Sequence, residues 1–494
     1  MKKTLLLAAT LGFLSALAAP LSFREPAPVP GVSKLSYEAG TEVRLDAAQT
    51  VTVKCPDASS AAWVRTHLKA WFLVEPKVVA ETAADNSLSG EAYRLVAKPD
   101  GISVEAQTLA GVRYALYTLR QVAERMSVGE TVVGFHLPAL EIEDKPALGF
   151  RGLHLCWFPE LSADYIERQI RMAAFYKFNF VVLEPWGVYR SERHPWFGWK
   201  DGLMTKDVIR HLVDVASDLG VTLIPQINVW GHATASRGST GKHAALDASS
   251  AHQSLFEPGA GWNWCLSNPD ALRVIRELVV EMHESFGNPP YFHIGGDEAE
   301  GPSCANCRAV PYSRLVRDHI VAISELLKKR GARTLMWHDM MLKRGDPRWK
   351  DFYANGTDET AKLPDLLPKD IVVCDWYYGK GRETYPTLDY FGGSFATLTC
   401  TWDDVSGIRA QAKYVREHAL FGVLGTVWHH MSGDRFVNLV QLTACGAWGG
   451  DEKGVSRGGF AQTWRQCGWD MGVTGDYADF GWYVDQISRD IQGL

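Results

Sequence analysis

The 494-residue chain is 46% hydrophobic and 22% charged, ordinary for a globular protein, and it is too long for one small core. Two or three domains are expected. A formal net charge of −6 and the lack of a polybasic run exclude a nucleic-acid surface and an electrostatic membrane anchor.

Met1-Lys2-Lys3, the apolar run that follows and the small-x-small Ala16-Leu17-Ala18 read as a secretory signal over 1–18. The protein is therefore expected to be exported, periplasmic or extracellular, without membrane insertion. Residues 19–145 read as a small α/β N-terminal domain after a Pro-rich lead-in. Its expected strands are 51–53, 93–96 and 102–106, the last two joined by an Asp100-Gly101 turn. Its expected helices are 61–71 and 111–126, the second packing on the next domain.

Residues 146–450 alternate strand and helix. The strands are expected at 150–156, 180–184, 222–227, 291–294, 334–338, 371–376, 396–400 and 423–428. The helices between and after them are expected at 163–176, 206–219, 270–286, 314–330, 407–418 and 438–448, with a weaker one near 360–367. Eight strands with intervening helices imply a (β/α)8 barrel. A doubly wound sheet is the alternative, and it lacks a Gly-rich dinucleotide fingerprint here. Residues 451–494, with Trp464, Trp469 and Trp482, are expected to pack on the barrel as an extension.

A barrel gathers functional side chains at the carboxyl ends of its strands. Those ends carry Glu184 and Trp186; Asn228, Trp230 and His232; Asp297 and Glu298; Trp337, His338 and Asp339; Asp375 and Trp376; Trp402, Asp403 and Asp404; and Trp428, His429 and His430. Any one of the chain's eighteen tryptophans is more often core, but several around one mouth suit the apolar face of a sugar ring. At the centre, Tyr291-Phe292-His293-Ile294 runs into Gly295-Gly296, which frees Asp297 and Glu298 from strand alternation. A lone Asp-Glu pair is more often a solvated acidic turn. Two carboxylates in one confined site cannot both ionise freely, which equips them to break a glycosidic bond.

Nine cysteines leave at least one unpaired within the chain. Export favours a local disulfide in Cys304-x-x-Cys307; half a zinc site is the rival, with no second C-x-x-C to complete it.

With these motifs in hand, the chain resembles the family-20 glycoside hydrolases, the β-N-acetylhexosaminidases. The likeness runs from Glu91-Ala92-Tyr93-Arg94-Leu95 and Gly111-Val112-Arg113-Tyr114-Ala115 through Phe150-Arg151-Gly152 to the catalytic signature His293-Ile294-Gly295-Gly296-Asp297-Glu298. The resemblance implies exo-action on terminal β-linked GlcNAc or GalNAc with retention. The 2-acetamido oxygen attacks the anomeric carbon, Glu298 is the acid/base and Asp297 orients the acetamide. It further implies that Arg151 clamps sugar hydroxyls and that Trp337, Trp376 and Trp428 wall the pocket. Asn228, His232, Trp402, Asp404 and His430 complete the expected substrate contacts. No metal or cofactor is implied, and the expected partner is a glycan or glycoconjugate ending in N-acetylhexosamine.

The departures from the family pattern are concentrated around the pair. Gln226 and Asn228 replace two acids, Glu184-Pro185-Trp186 stands where a His and two Asp are usual, Trp402 stands in place of a Tyr, and His430 in place of a Glu. They leave three alternatives: a degenerate barrel that binds glycans, a hydrolase for a modified amino sugar such as a sulfated one, and a metal-dependent hydrolase using His232, His293, His338 and Asp339.

Overall fold

The computed structural model describes residues 22–470 apart from 83–84, 130, 160, 199–202, 235–249, 259–260 and 429–432. The expected signal segment lies outside the described residues. Among the described residues no helix is long and apolar enough to cross a membrane.

The N-terminal sheet has seven strands: β1 (Lys34–Leu45), β2 (Thr50–Lys54), β3 (Lys77–Glu81), β4 (Tyr93–Lys98), β5 (Gly101–Ala106), β6 (Glu124–Val128) and β7 (Thr131–Asp144). They run in the order β1-β7-β4-β5-β2-β3, with β6 also on β7. Burial alternates strictly along β2 and β5, so one face is covered, here by helices Ser60–Phe72 and Leu109–Val122. The second helix is shorter than its periodicity suggests. Ala123 turns extended and Glu124–Val128 leaves to pair with β7, so strand pairing overrides the helical pattern through 126. This helix faces the barrel: Tyr117 Oη donates to the Leu219 carbonyl at 2.8 Å and Gln121 Nε2 to that of Phe175 at 3.1 Å.

The barrel strands are β8 (Phe150–Trp157), β9 (Phe180–Pro185), β10 (Thr222–Pro225), β11 (Tyr291–His293), β12 (Arg333–Trp337), β13 (Val372–Trp376), β14 (Ala396–Thr401) and β15 (Gly422–Thr426). All pair in parallel, and β15 returns to β8. A parallel bridge between Gln226 and His293 joins β10 to β11 and closes the ring. Side chains such as Val182, Ile224, Leu335, Leu398 and Leu424 fill the interior, and Phe150 stacks on Phe180 at 4.4 Å near the bottom.

Helices Ala163–Phe175, Lys206–Asp218 and Val405–Glu417 open on Ser162, Thr205 and Asp404, each accepting an amide of the first turn. Between β12 and β13 only three 3-10 turns (Asp339–Met341, Pro347–Trp349 and Thr360–Lys362) and the short helix Leu363–Leu366 occur, and Pro386–Gly392 is a short helix the sequence pattern did not suggest. The final described helix, Arg457–Asp470, lays Phe460 over Tyr176 and Trp464 beside Tyr165.

Arg151 corrects the sequence reading. It is the second residue of β8, at the amino end of the strand and away from the mouth, and it is 1% exposed. Its Nη1 and Nη2 bind Glu91 at 2.9 Å, Nη2 also binds Tyr114 Oη at 2.7 Å, and Nη1 and Nε bind the Leu148 and Lys177 carbonyls at 2.8 and 2.9 Å. All five N–H groups are used. Arg151 fastens the N-terminal domain to the barrel and has nothing left for a sugar hydroxyl.

Candidate active site

β11 lasts only three residues because the chain must turn at once into the mouth. Gly295 and Gly296 have φ of 67° and 95°, and a Cβ on Gly295 would stand 1.9 Å from Asn228 Oδ1. No other residue fits. The turn delivers Asp297 buried and Glu298 with a side chain 53% exposed. Glu298 is itself left-handed, with φ of 47°. That costs of order 1–3 kcal/mol and persists only where the surroundings enforce it. They do so here. Glu298 N donates to Asp339 Oδ2 at 2.9 Å, Trp262 Nε1 donates to the Glu298 carbonyl at 2.8 Å, and Asn263 bonds both backbone groups of Glu300.

His232 lies between the two acids, its Nε2 3.3 Å from Asp297 Oδ2 and 3.3 Å from Glu298 Oε2. Its ring is 4.0 Å from that of Trp262. Asp339 is fully buried; it also accepts from Asn355 Nδ2 at 2.9 Å and Trp376 Nε1 at 3.3 Å. Burial, reinforced by the nearby Asp297 charge, pushes its carboxyl up to about 7. Burial likewise raises Asp375 to about 7 and lowers its neighbour His338 to about 3, so this imidazole is neutral.

Aromatic rings close one side of the mouth. Trp376 packs against Tyr353 at 4.2 Å and stacks on Tyr378 at 5.1 Å, and Trp402 meets Tyr378 edge-on at 5.4 Å. Trp428 Nε1 donates to Tyr378 Oη. Trp337 is fully buried between His293 and Trp428, so it forms floor rather than open wall. Tyr378 went unread in the sequence, although it stands two residues beyond Trp376. Burial raises its phenol well above the ordinary range, and the hydroxyl accepts from Thr426 Oγ1 at 3.4 Å as well as from Trp428.

Other expected contacts resolve differently. Asn228 is fully buried under the turn, where its Oδ1 accepts from Gln226 Nε2 at 3.2 Å. Gln226 Nε2 also donates to Glu184 Oε1 at 2.8 Å, and His154 Nε2 lies 3.2 Å from Glu184 Oε2. The buried carboxylate has thus moved from the end of β10 to the end of β9, and amides at 226 and 228 avoid a second and third like charge beside it. Asp404 caps its helix, Oδ1 accepting from Gly407 N at 2.7 Å and Ser406 Oγ at 2.6 Å, so its carboxylate serves the fold. His430 lies outside the described residues. Beside Glu298 a cavity of about 560 Å³ is lined by Trp262, Glu300, Arg344, Asn355 and Thr357. The local disulfide expected at Cys304 and Cys307 is not formed, and both remain thiols.

The family model for the catalytic domain of glycosyl hydrolase family 20 matches residues 179–432, and the model for domain 2 of the same family matches residues 25–145. A beta-hexosaminidase of Porphyromonas gingivalis is 27% identical over 51% of this chain and 36% of its own length. A beta-N-acetylhexosaminidase of Cellulomonas fimi is 26% identical over 45% of this chain and 47% of its own length. The chain spans about half or less of the length of these relatives. In fold it matches the beta-N-acetylhexosaminidase of Bacteroides fragilis, with a TM-score of 0.64 at 20% identity over 86% of this chain and 91% of that one. An exo beta-N-acetylglucosaminidase of Vibrio harveyi in complex with N-acetylglucosamine matches with a TM-score of 0.65 at 17% identity over 93% of this chain and 79% of that one. With both domains matched in order and the Asp297–Glu298 turn at the barrel mouth, this chain belongs to glycosyl hydrolase family 20.

Proposed function

We propose that the protein is an exo-acting, retaining β-N-acetylhexosaminidase that releases terminal GlcNAc or GalNAc through the substrate's own acetamide. The observation that carries this reading is the strained Asp297–Glu298 turn, with one acid buried and the other half-exposed beside an open cavity, both facing His232. Glu298 faces the side from which a leaving group departs. It gives its proton to the glycosidic oxygen and later takes one from water. Asp297 holds the acetamide N–H while the carbonyl oxygen closes on the anomeric carbon, and its negative charge offsets the developing oxazolinium. Tyr378 supplies the hydroxyl for the acetamide oxygen that Trp402 lacks. Trp376, Trp402 and Trp428 line the sugar, and the 560 Å³ cavity takes the rest of the glycan. The apolar leader 1–18 supports export.

Hydrolysis of aryl 2-acetamido-2-deoxy-β-glycosides of the gluco and galacto series, blocked by a thiazoline mimic, is the expected result. Glu298→Gln should lower kcat on a natural linkage by about 10²–10⁴-fold, the usual share of a general acid. Asp297→Asn should lower it comparably. A Glu298→Gln enzyme with unchanged kcat would overturn the assignment.

A further inference from the structure

Three thiols and a carboxylate from separate stretches of chain converge behind the catalytic turn. An antiparallel bridge between Phe256 and Trp264 presents Glu257 and Cys265, while the segment after Glu298 brings Cys304 and Cys307. Cys265 Sγ stands 3.7 Å from Cys304 Sγ and 3.8 Å from Cys307 Sγ, and one donor atom from each of the four residues lies within 4.8 Å of the others. Three of the four are buried and Cys304 is half-buried.

These spacings select among chemistries. A disulfide needs its sulfurs about 2.05 Å apart. Thiolates at the corners of a tetrahedron around zinc, with Zn–S of about 2.3 Å, stand roughly 3.8 Å apart. The observed separations match the second. The Cys307 amide donates to Cys304 Sγ at 3.2 Å within the Cys-x-x-Cys turn, a bond that strengthens with negative charge on sulfur. Glu257 is held by the Ser303 and Cys304 amides at 2.8 and 2.6 Å, which fixes its carboxylate against the turn. Thiolate-rich donor sets favour zinc over hard cations such as calcium or magnesium.

We propose that Cys265, Cys304, Cys307 and Glu257 bind one structural Zn²⁺ in a closed four-donor site. Binding displaces the three thiol protons to solvent, and no redox change is needed. The ion would tie the Trp262–Cys265 segment to the segment carrying Glu298. That joint already includes the bonds from Trp262 and Asn263 to the backbone of Glu298 and Glu300. The site holds the catalytic turn in place and touches no reacting atom.

Metal analysis of the purified full chain should find about one zinc per chain, a closed structural site holding one ion. Adding Zn²⁺ to the reduced, metal-free chain should protect three thiols from a thiol reagent and raise the melting temperature. C265S, if folded by circular dichroism, should lose its zinc to a weak chelator that the unmodified protein withstands; if it does not fold, the thiol count in the unmodified chain decides. A disulfide among these cysteines, a different bound metal, or thiols and melting temperature indifferent to Zn²⁺ would overturn the proposal. None of these readouts uses turnover, so they stand apart from the test of hydrolysis.

Discussion

Asp339 sits one layer behind the acidic pair and couples the site to pH. Its carboxyl titrates near 7 in the fold, against about 3.9 in an unfolded chain. Between those values the folded state holds a proton that the unfolded state has shed. Stability from this group is therefore complete below about pH 4 and is lost as pH rises through 7, with a slope of at most about 1.4 kcal/mol per pH unit. Asp339→Asn should remove that slope, so the variant should gain stability relative to the parent between pH 4 and 7. Thermal unfolding at both pH values checks this, and a difference that does not move with pH would contradict it. At the same scale, the site residues were only partly legible. Asp297 and Glu298 stand in a contiguous motif whose glycines announce the turn. Glu184 and Gln226 were visible as departures, but their exchange of charge and amide depends on strands β9 and β10 lying side by side.

At the scale of elements, the loop from Gly295 to Cys307 concentrates the local strain. Gly295→Ala would drive a Cβ into Asn228 at a backbone angle that alanine disfavours. A destabilisation of about 2–4 kcal/mol is expected, together with loss of activity beyond what the lower stability explains. Chemical denaturation and kcat on the aryl glycoside measure the two effects, and a fully active, equally stable variant would show that the turn tolerates a side chain. Barrel strands were readable because strands covered on both faces are nearly continuous apolar runs. Strands β1 and β7 were not. Much of β1 is exposed, and neither has a pattern that stands out until each lies against the other.

For the whole molecule, the joint between domains rests on buried charge. Arg151 meets Glu91, and nearby Lys177 Nζ binds Asp144 Oδ2 at 3.0 Å with both side chains fully buried. Arg151→Met leaves the part-exposed Glu91 with Tyr114 alone and frees the Leu148 and Lys177 carbonyls, and should cost about 2–4 kcal/mol. KM for an aryl glycoside should stay within about twofold, because the guanidinium is remote from the mouth. A large rise in KM at unchanged stability would restore Arg151 as a sugar clamp.

The amino-acid sequence alone determined the barrel class, the small domain before it and the glycine turn that presents Asp297 and Glu298. Each is written in local periodicity or in a contiguous motif, and burial of apolar surface enforces that pattern wherever the chain packs. Tertiary structure decided the rest. Arg151 became a domain fastener, Tyr378 joined the aromatic wall of the site, and Cys265 and Glu257 met the Cys-x-x-Cys turn. Those roles depend on distances between residues far apart in the chain. Such distances are set when eight strands close into a ring, and no spacing along the sequence encodes them.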